Sequence, residues 1–219
     1  MNNRSLIQKI ENMPVPVLPT MVGALTLSTV YSNMGYTWVR HITSWVAVVV
    51  LLAYLTKIVV YPKTCAKEYS NTVPASLYAG FTMITMILGS YFYNASPVFG
   101  KTLWFVGLIL HAIHILVFTY RNVVKGVNIQ TFVPSWFVTY NGIMVSTVVG
   151  GVMNEPLIGK IVVYYGIAVF TIIIPFMIYR LCKHELNTPL FHTQAIVLAP
   201  SSLCLVSYFN FIETPNKFM

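Results

Sequence analysis

Residues 131–151 of the chain read TFVPSWFVTYNGIMVSTVVGG, a stretch as long and apolar as a membrane-crossing helix. It contains proline, serine, threonine, asparagine and glycine, which a helix that only anchors a protein in lipid does not need. Trp136 and Phe137 are interpreted as anchors at the membrane interface, and Asn141 and Gly142 as positions where a bend is tolerated. The small polar groups indicate that one face of this helix meets something other than lipid.

The composition of the whole chain points to a membrane environment. Hydrophobic residues make up 57% of the 219 positions and charged residues only 8%, and the mean hydropathy is +0.72. Soluble domains usually contain about 25% charged residues. The net charge of +8 comes from scattered Lys and Arg residues rather than from a basic patch, so no nucleic acid partner is expected. The sequence predicts an all-α integral membrane protein whose first partner is the lipid bilayer.

Seven apolar runs have the roughly 17–25 residues that a membrane-crossing helix needs. We call them the first to seventh span; they cover about residues 15–31, 42–60, 75–92, 102–120, 135–151, 157–180 and 190–209. Each must be helical, since only a helix satisfies its own backbone inside a bilayer. Residues 1–219 are thus expected to form a single transmembrane domain.

The positions of the Lys and Arg residues predict the orientation of the chain. Nine of the thirteen lie at the N-terminus or in loops on the same side, and four lie on the other side. This asymmetry places the N-terminus in the cytoplasm of a multi-pass plasma membrane protein, which we expect to be bacterial. Residues 1–13 put Leu6, Ile7, Ile10 and Met13 on one helical face, so they form either a helix in the membrane interface or a frayed tail.

The chain repeats itself at an interval of about sixty residues. Pro14, Pro74, Pro134 and Pro189 precede or begin the odd-numbered spans, at intervals of 60, 60 and 55 residues. Each unit is a helix that starts near a proline, a short loop, a second helix and a basic loop. The sequence therefore predicts three helical hairpins and half of a fourth.

Hydroxyl and glycine residues concentrate in the odd-numbered spans and recur there at helical spacing. This pattern predicts an inner ring of odd spans around a polar path, with the even spans outside. The pore-lining candidates are Gly23, Thr26, Thr29, Thr82, Thr85, Gly89, Ser135, Thr139, Gly142, Ser146, Ser201 and Cys204. The candidate helix kinks or breaks are Pro14, Pro19, Pro74, Pro134 and Pro200. Close packing through small residues is the alternative explanation.

The path is predicted to suit anions. The chain has no aspartate, and its five glutamates lie outside the predicted spans, whereas a cation path would be expected to show carboxylates or a carbonyl filter. His111 and His114 share a face of the fourth span and are interpreted as hydrogen-bonded packing residues. If either one relays protons, transport should change steeply between about pH 6 and 7. We expect no metal, no cofactor and no enzymatic activity, because no nucleophile–base pair or phosphate loop is present.

Three motifs give the chain a family resemblance. Met13-Pro14-Val15-Pro16 leads into Gly23, residues 134–138 (PSWFV) are followed by Gly142-Ile143, and residues 198–205 (LAPSSLCL) are followed by Tyr208. In these features the chain resembles the tellurite-resistance/dicarboxylate transporter family, which includes plant slow-type anion channels.

The resemblance implies a fold and a function. It implies ten helices in five hairpins around a pseudo-fivefold axis, a pore lined by odd helices, and a trimer. It also implies passage of small anions such as chloride, nitrate, sulfite or a dicarboxylate such as malate, by channel conduction or by carrier-like transport. Because three helices of that fold are missing from this sequence, we expect a truncated chain. A non-conducting fragment or a partner-dependent subunit is the alternative, and a seven-helix receptor or a membrane enzyme is disfavoured.

Overall fold

The computed structural model describes residues 8–186 and 188–212, and all the regular structure within them is helical. Five segments are long and apolar enough to cross a membrane: Thr37–Val60, Thr72–Tyr93, Pro97–Val124, Pro156–Lys183 and Thr193–Phe211. They correspond to the second, third, fourth, sixth and seventh spans. The chain is therefore an all-α membrane protein, as its composition predicted.

The first and fifth spans are also helical but differ from the other five. The first is one helix of 17 residues, Val17–Asn33. The fifth is broken into the short helical pieces Trp136–Tyr140, Gly142–Met144, Val145–Val148 and Gly150–Met153. The helix is broken at Asn141 and Gly142, where the sequence indicates that a bend is tolerated: the first piece ends at Tyr140 and a tighter helix begins at Gly142. The count of seven membrane-crossing spans stays a prediction.

Shorter elements connect or interrupt the spans. The helix Pro62–Ser70 follows the second span, and the third span consists of Thr72–Leu77 and Ala79–Tyr93. A wide helical turn, Tyr120–Val124, ends the fourth span, and the seventh span begins as a tight helix at Thr188–Val197 and continues as Leu198–Phe211. Of the predicted interfacial segment 1–13, residues 1–7 lie outside the described residues, as does the tail 213–219; residues 8–11 are helical.

Four of the five candidate prolines lie where the missing N–H group costs a helix least. Pro19 and Pro74 are each the third residue of a helix, in the first turn, where backbone N–H groups have no intrahelical partner. Pro200 is the third residue of Leu198–Phe211, just after the change from the tight helix Thr188–Val197. Pro14 and Pro134 precede the helices that start at Val17 and Trp136. The sixth span contains Pro175 in its interior, a position that was not among the predicted kinks.

The third and fifth spans lie at the centre of the molecule. In the third span, 72% of the most apolar stretch is buried, against 22%, 33% and 22% for the second, fourth and sixth spans. In the fifth span, every residue from 132 to 147 is buried. The interpretation of Trp136 and Phe137 as interface anchors is therefore wrong, because each is only 2% exposed and packs among aromatic rings of the core.

Candidate functional site

A cleft of about 390 Å³ opens between the odd-numbered spans. The first, fifth and seventh spans supply most of its wall, and the third contributes Met83. No residue of an even-numbered span lines it among the described residues. The full lining is Pro19, Val22, Gly23, Thr26, Met83, Phe137, Val138, Gly142, Val145, Val148, Ile196, Ala199, Pro200, Ser202, Leu203 and Val206.

The wall of this cleft is mainly apolar. Thr26 and Ser202 carry the hydroxyl groups in the described part of the wall, and no charged residue stands in that part. Both hydroxyls already donate to carbonyls of their own helices, Thr26 to Val22 at 2.5 Å and Ser202 to Leu198 at 3.2 Å. A solute in the cleft would therefore meet few free donors and no fixed charge.

Five of the residues selected from the sequence lie in the cleft wall. They are the pore-lining candidates Gly23, Thr26 and Gly142 and the candidate kinks Pro19 and Pro200. In the first span the predicted stripe and the cleft-lining face largely coincide. Pro14, Pro74 and Pro134 lie outside the wall.

Of the candidates in the third span, Thr82 and Gly89 contact the fourth span and Thr85 bonds within its own helix. The Thr82 hydroxyl lies 2.6 Å from Nδ1 of His111. Thr85 donates to the carbonyl of Phe81 at 2.9 Å. Gly89 is buried against the backbone of the fourth span at Gly100 and Trp104.

The remaining candidates occupy other places around the cleft. Ser135, Thr139 and Ser146 are fully buried inside the protein. Thr29 is half-buried and donates to its own helix, Ser201 is exposed on the seventh span, and the Cys204 sulfur lies 3.8 Å from that of Met144. The assignment of these residues to a pore stays a prediction.

The sequence reading missed most of the apolar residues of the wall. In the seventh span, Ile196, Ala199, Leu203 and Val206 share one face at intervals of three and four residues. This spacing was visible in the sequence. The pore-lining prediction rests on polar and small residues at helical spacing, and an apolar stripe does not meet that criterion.

His111 and His114 join the fourth span to the buried fifth span. Nε2 of His111 lies 2.9 Å from the backbone carbonyl of Thr139, and Nε2 of His114 lies 3.2 Å from the Thr139 hydroxyl. A carbonyl only accepts, so Nε2 of His111 carries a proton. The Thr82 hydroxyl has one proton and lies within hydrogen-bond distance of two acceptors, Nδ1 of His111 and the carbonyl of Ala79 at 2.8 Å. In the neutral ring that proton is directed to Nδ1. Since Thr139 donates to the carbonyl of Ser76 at 3.2 Å, it accepts from His114. With the Thr82 proton directed to His111, two neutral rings satisfy the bonds that both histidines make.

Tyr69, on the short helix Pro62–Ser70, completes the bonding of His114. Its hydroxyl lies 2.9 Å from Nδ1 of His114, and the Arg121 guanidinium stacks over its ring and donates to its carbonyl. Burial raises the pKa of the Tyr69 phenol, with Arg121 opposing that effect. The phenol therefore stays protonated at neutral pH and donates to the imidazole.

A buried ion pair lies at the same end of the molecule. The Lys57 ammonium is 0% exposed and lies 2.7 Å from the carboxylate of Glu68, whose side chain is 25% exposed. Tyr78 donates to the same carboxylate at 2.5 Å, and Lys57 also donates to the carbonyl of Met13 at 2.8 Å. From the sequence, Lys57 is one of the basic residues that predict the orientation and Glu68 one of the glutamates outside the predicted spans, whereas in the structure the two form one buried cluster.

A cleft lined by alternate membrane spans is an arrangement found in channels and transporters. The sequence profile of the voltage-dependent anion channel family matches residues 15–217. The chain belongs to this family, which comprises channels and transporters for anions rather than enzymes. Comparison with individual curated proteins gives no significant match.

Proposed function

We propose that the cleft between the odd-numbered spans is the path along which this protein passes small monovalent anions across the membrane. The observation that carries the proposal is the lining of the cleft: in the described residues it comes from the first, third, fifth and seventh spans alone. Membership of an anion channel family indicates that the solute is negatively charged. An orientation with the N-terminus in the cytoplasm, a plasma membrane location and a trimeric assembly belong to the same proposal.

The chemistry of the wall favours monovalent over divalent solutes. Removing an ion from water costs a free energy that grows with the square of its charge, and only fixed charges or donors in the protein can compensate it. The described wall offers no charge and few free donors. Chloride and nitrate are therefore better candidates than malate or sulfite dianions. Weak binding along such a wall favours passive flow over tight capture.

Single cysteines at positions 26 and 202 are expected to react with a membrane-impermeant thiol reagent, and the modification should block nitrate efflux from proteoliposomes. Both side chains line the cleft, so water that follows the anion path reaches them. The background is the chain with Cys65, Cys182 and Cys204 replaced by alanine.

Two matched sites control for exposure. Thr171→Cys lies on an exposed face of the sixth span and should meet lipid, so the reagent should not reach it. Thr139→Cys is buried and should also stay unmodified. Equal reactivity at positions 26 and 171, or no effect of modification at 26 and 202 on nitrate efflux, would show that the cleft is not the path.

Anion flux through the protein is expected to change less than about twofold between pH 6 and 7. His111 and His114 contact hydroxyls, a carbonyl and aromatic rings, and their neutral tautomers already satisfy the bonds that they make. Adding a proton to a buried ring without a carboxylate partner is unfavourable. Flux assays at pH 6.0, 6.5 and 7.0 measure this. A steep change that disappears in His114→Gln would instead support a proton relay.

A further inference from the structure

The fourth span presents ring N–H groups to the broken fifth span along one face. Nε1 of Trp104 donates to the carbonyl of Ser146 at 3.1 Å, and Nε2 of His111 donates to the carbonyl of Thr139 at 2.9 Å. Trp104 and His111 are seven residues apart, two helical turns, so their side chains lie on the same face. The two accepting carbonyls are also seven residues apart and lie on either side of the break at Asn141 and Gly142.

A break in a buried helix needs such donors. At Met144 the N–H bonds to the carbonyl of Asn141 rather than to that of Tyr140, and the helical piece that contains Ser146 ends at Val148, before Gly150. Carbonyls in such an interrupted helix lack the regular partner four residues on and need another donor. Thr139 and Ser146 are fully buried, so water does not replace those partners. An unsatisfied carbonyl in a membrane interior is unfavourable, and helix breaks there persist where neighbouring groups supply the bond.

The break lies directly behind the cleft wall. Val138 and Gly142, on either side of Thr139 and Asn141, both line the cleft. A Cβ atom on Gly142 would lie 2.9 Å from Cε1 of His111, so the ring and the break are in close contact. Moving the Thr139 carbonyl by re-forming a regular helix would displace both wall residues.

We propose that Trp104 and His111 are positioning residues that hold the break in the fifth span by its two flanking carbonyls and so set the width of the cleft. His114 supports the same arrangement through the Thr139 hydroxyl. The consequence for anion size rests on the proposed function of the cleft. The structural part, that ring N–H donors of the fourth span fix the cleft wall, does not depend on it.

The test compares His111→Leu, which removes the donor, with His111→Gln, whose amide N–H can reach the same carbonyl. We expect His111→Leu to change the rate at which a cysteine at position 138 reacts with a thiol reagent by about tenfold, the effect of losing one buried hydrogen bond. His111→Gln should restore most of the wild-type rate. The nitrate-to-malate permeability ratio should shift in the same variants.

Trp104→Phe keeps an aromatic ring but removes the N–H group, so it tests the same proposal if His111→Leu does not fold. It should alter the reactivity at position 138 in the same manner. His41→Leu is the matched control, since His41 bonds only to Tyr91 at the exposed end of the second span in the described contacts. The proposal is wrong if the leucine and glutamine variants behave alike, or if folded Trp104→Phe leaves the reactivity at 138 unchanged. Absence of anion flux in the wild type would overturn the proposed function and leave the reactivity test intact.

Discussion

Gly89→Ala is expected to lower the free energy of unfolding by about 3 kcal/mol, the upper end of the usual cost of overpacking a core. A Cβ atom at position 89 would lie 2.6 Å from the backbone nitrogen of Trp104 and 2.8 Å from the carbonyl oxygen of Gly100. Backbone atoms cannot rotate away as a side chain can, so the third and fourth spans would have to separate. Alanine is intrinsically favoured over glycine in a helix by about 1 kcal/mol, and that advantage is too small to offset the clash.

Gly23→Ala is the matched control for this variant. No atom lies within 4 Å of a Cβ placed at position 23, which lines the cleft. Its expected effect is a gain of up to about 1 kcal/mol, from helix propensity alone. Reversible unfolding in mixed detergent micelles, followed by circular dichroism, measures both. If Gly89→Ala were as stable as Gly23→Ala, position 89 would not be a close-packed contact and its pore-lining candidacy would gain support.

These two glycines show how far the sequence could predict the site. Both belong to predicted stripes of small and hydroxyl residues at helical spacing. In the first span the stripe faces the cleft, and in the third it faces the fourth span. A pattern within one helix identifies a special face, but which neighbour meets that face depends on contacts between distant segments, which the pattern does not contain.

Hydroxyl groups do not by themselves identify a pore, for a related physical reason. In an apolar environment a serine or threonine finds an acceptor on its own helix or on the next one. Thr26 donates to Val22, and Thr85 donates to Phe81, although only the first of the two threonines lines the cleft. A run of hydroxyls therefore marks a face that bonds or packs closely, whether or not water lies beyond it.

The features that could be predicted are those set by local chemistry. The membrane class follows from composition, and the break in the fifth span follows from the weak helix formers Asn141 and Gly142 in its middle. The family resemblance was carried by short motifs and is confirmed by the match over residues 15–217. The donors that hold the break could not be foreseen, because Trp104 and Ser146 are 42 residues apart in the chain.

Glu68→Leu is expected to lower the free energy of unfolding by about 3–5 kcal/mol. Glu68 lies on the short helix Pro62–Ser70, and we expect this to be the most destabilising change at that end of the molecule. The Lys57 ammonium is 0% exposed, and without the carboxylate it keeps the carbonyl of Met13 as its recorded acceptor. A buried cation without its counter-ion bears its desolvation cost in full. The double variant Lys57→Met, Glu68→Leu removes that charge and should recover most of the loss.

Glu155→Leu provides the comparison within the same chain. Glu155 forms an equally short ion pair with Lys101, at 2.6 Å, but the two side chains are 31% and 36% exposed. Water screens such a pair, and its loss should cost no more than about 1 kcal/mol. Equal effects of the two leucine variants would mean that burial of Lys57 does not govern the strength of its pair with Glu68. A large difference would instead show that Glu68 neutralises a lysine buried inside the membrane domain. That role explains why a chain with only five carboxylate side chains has one of them beside the third span.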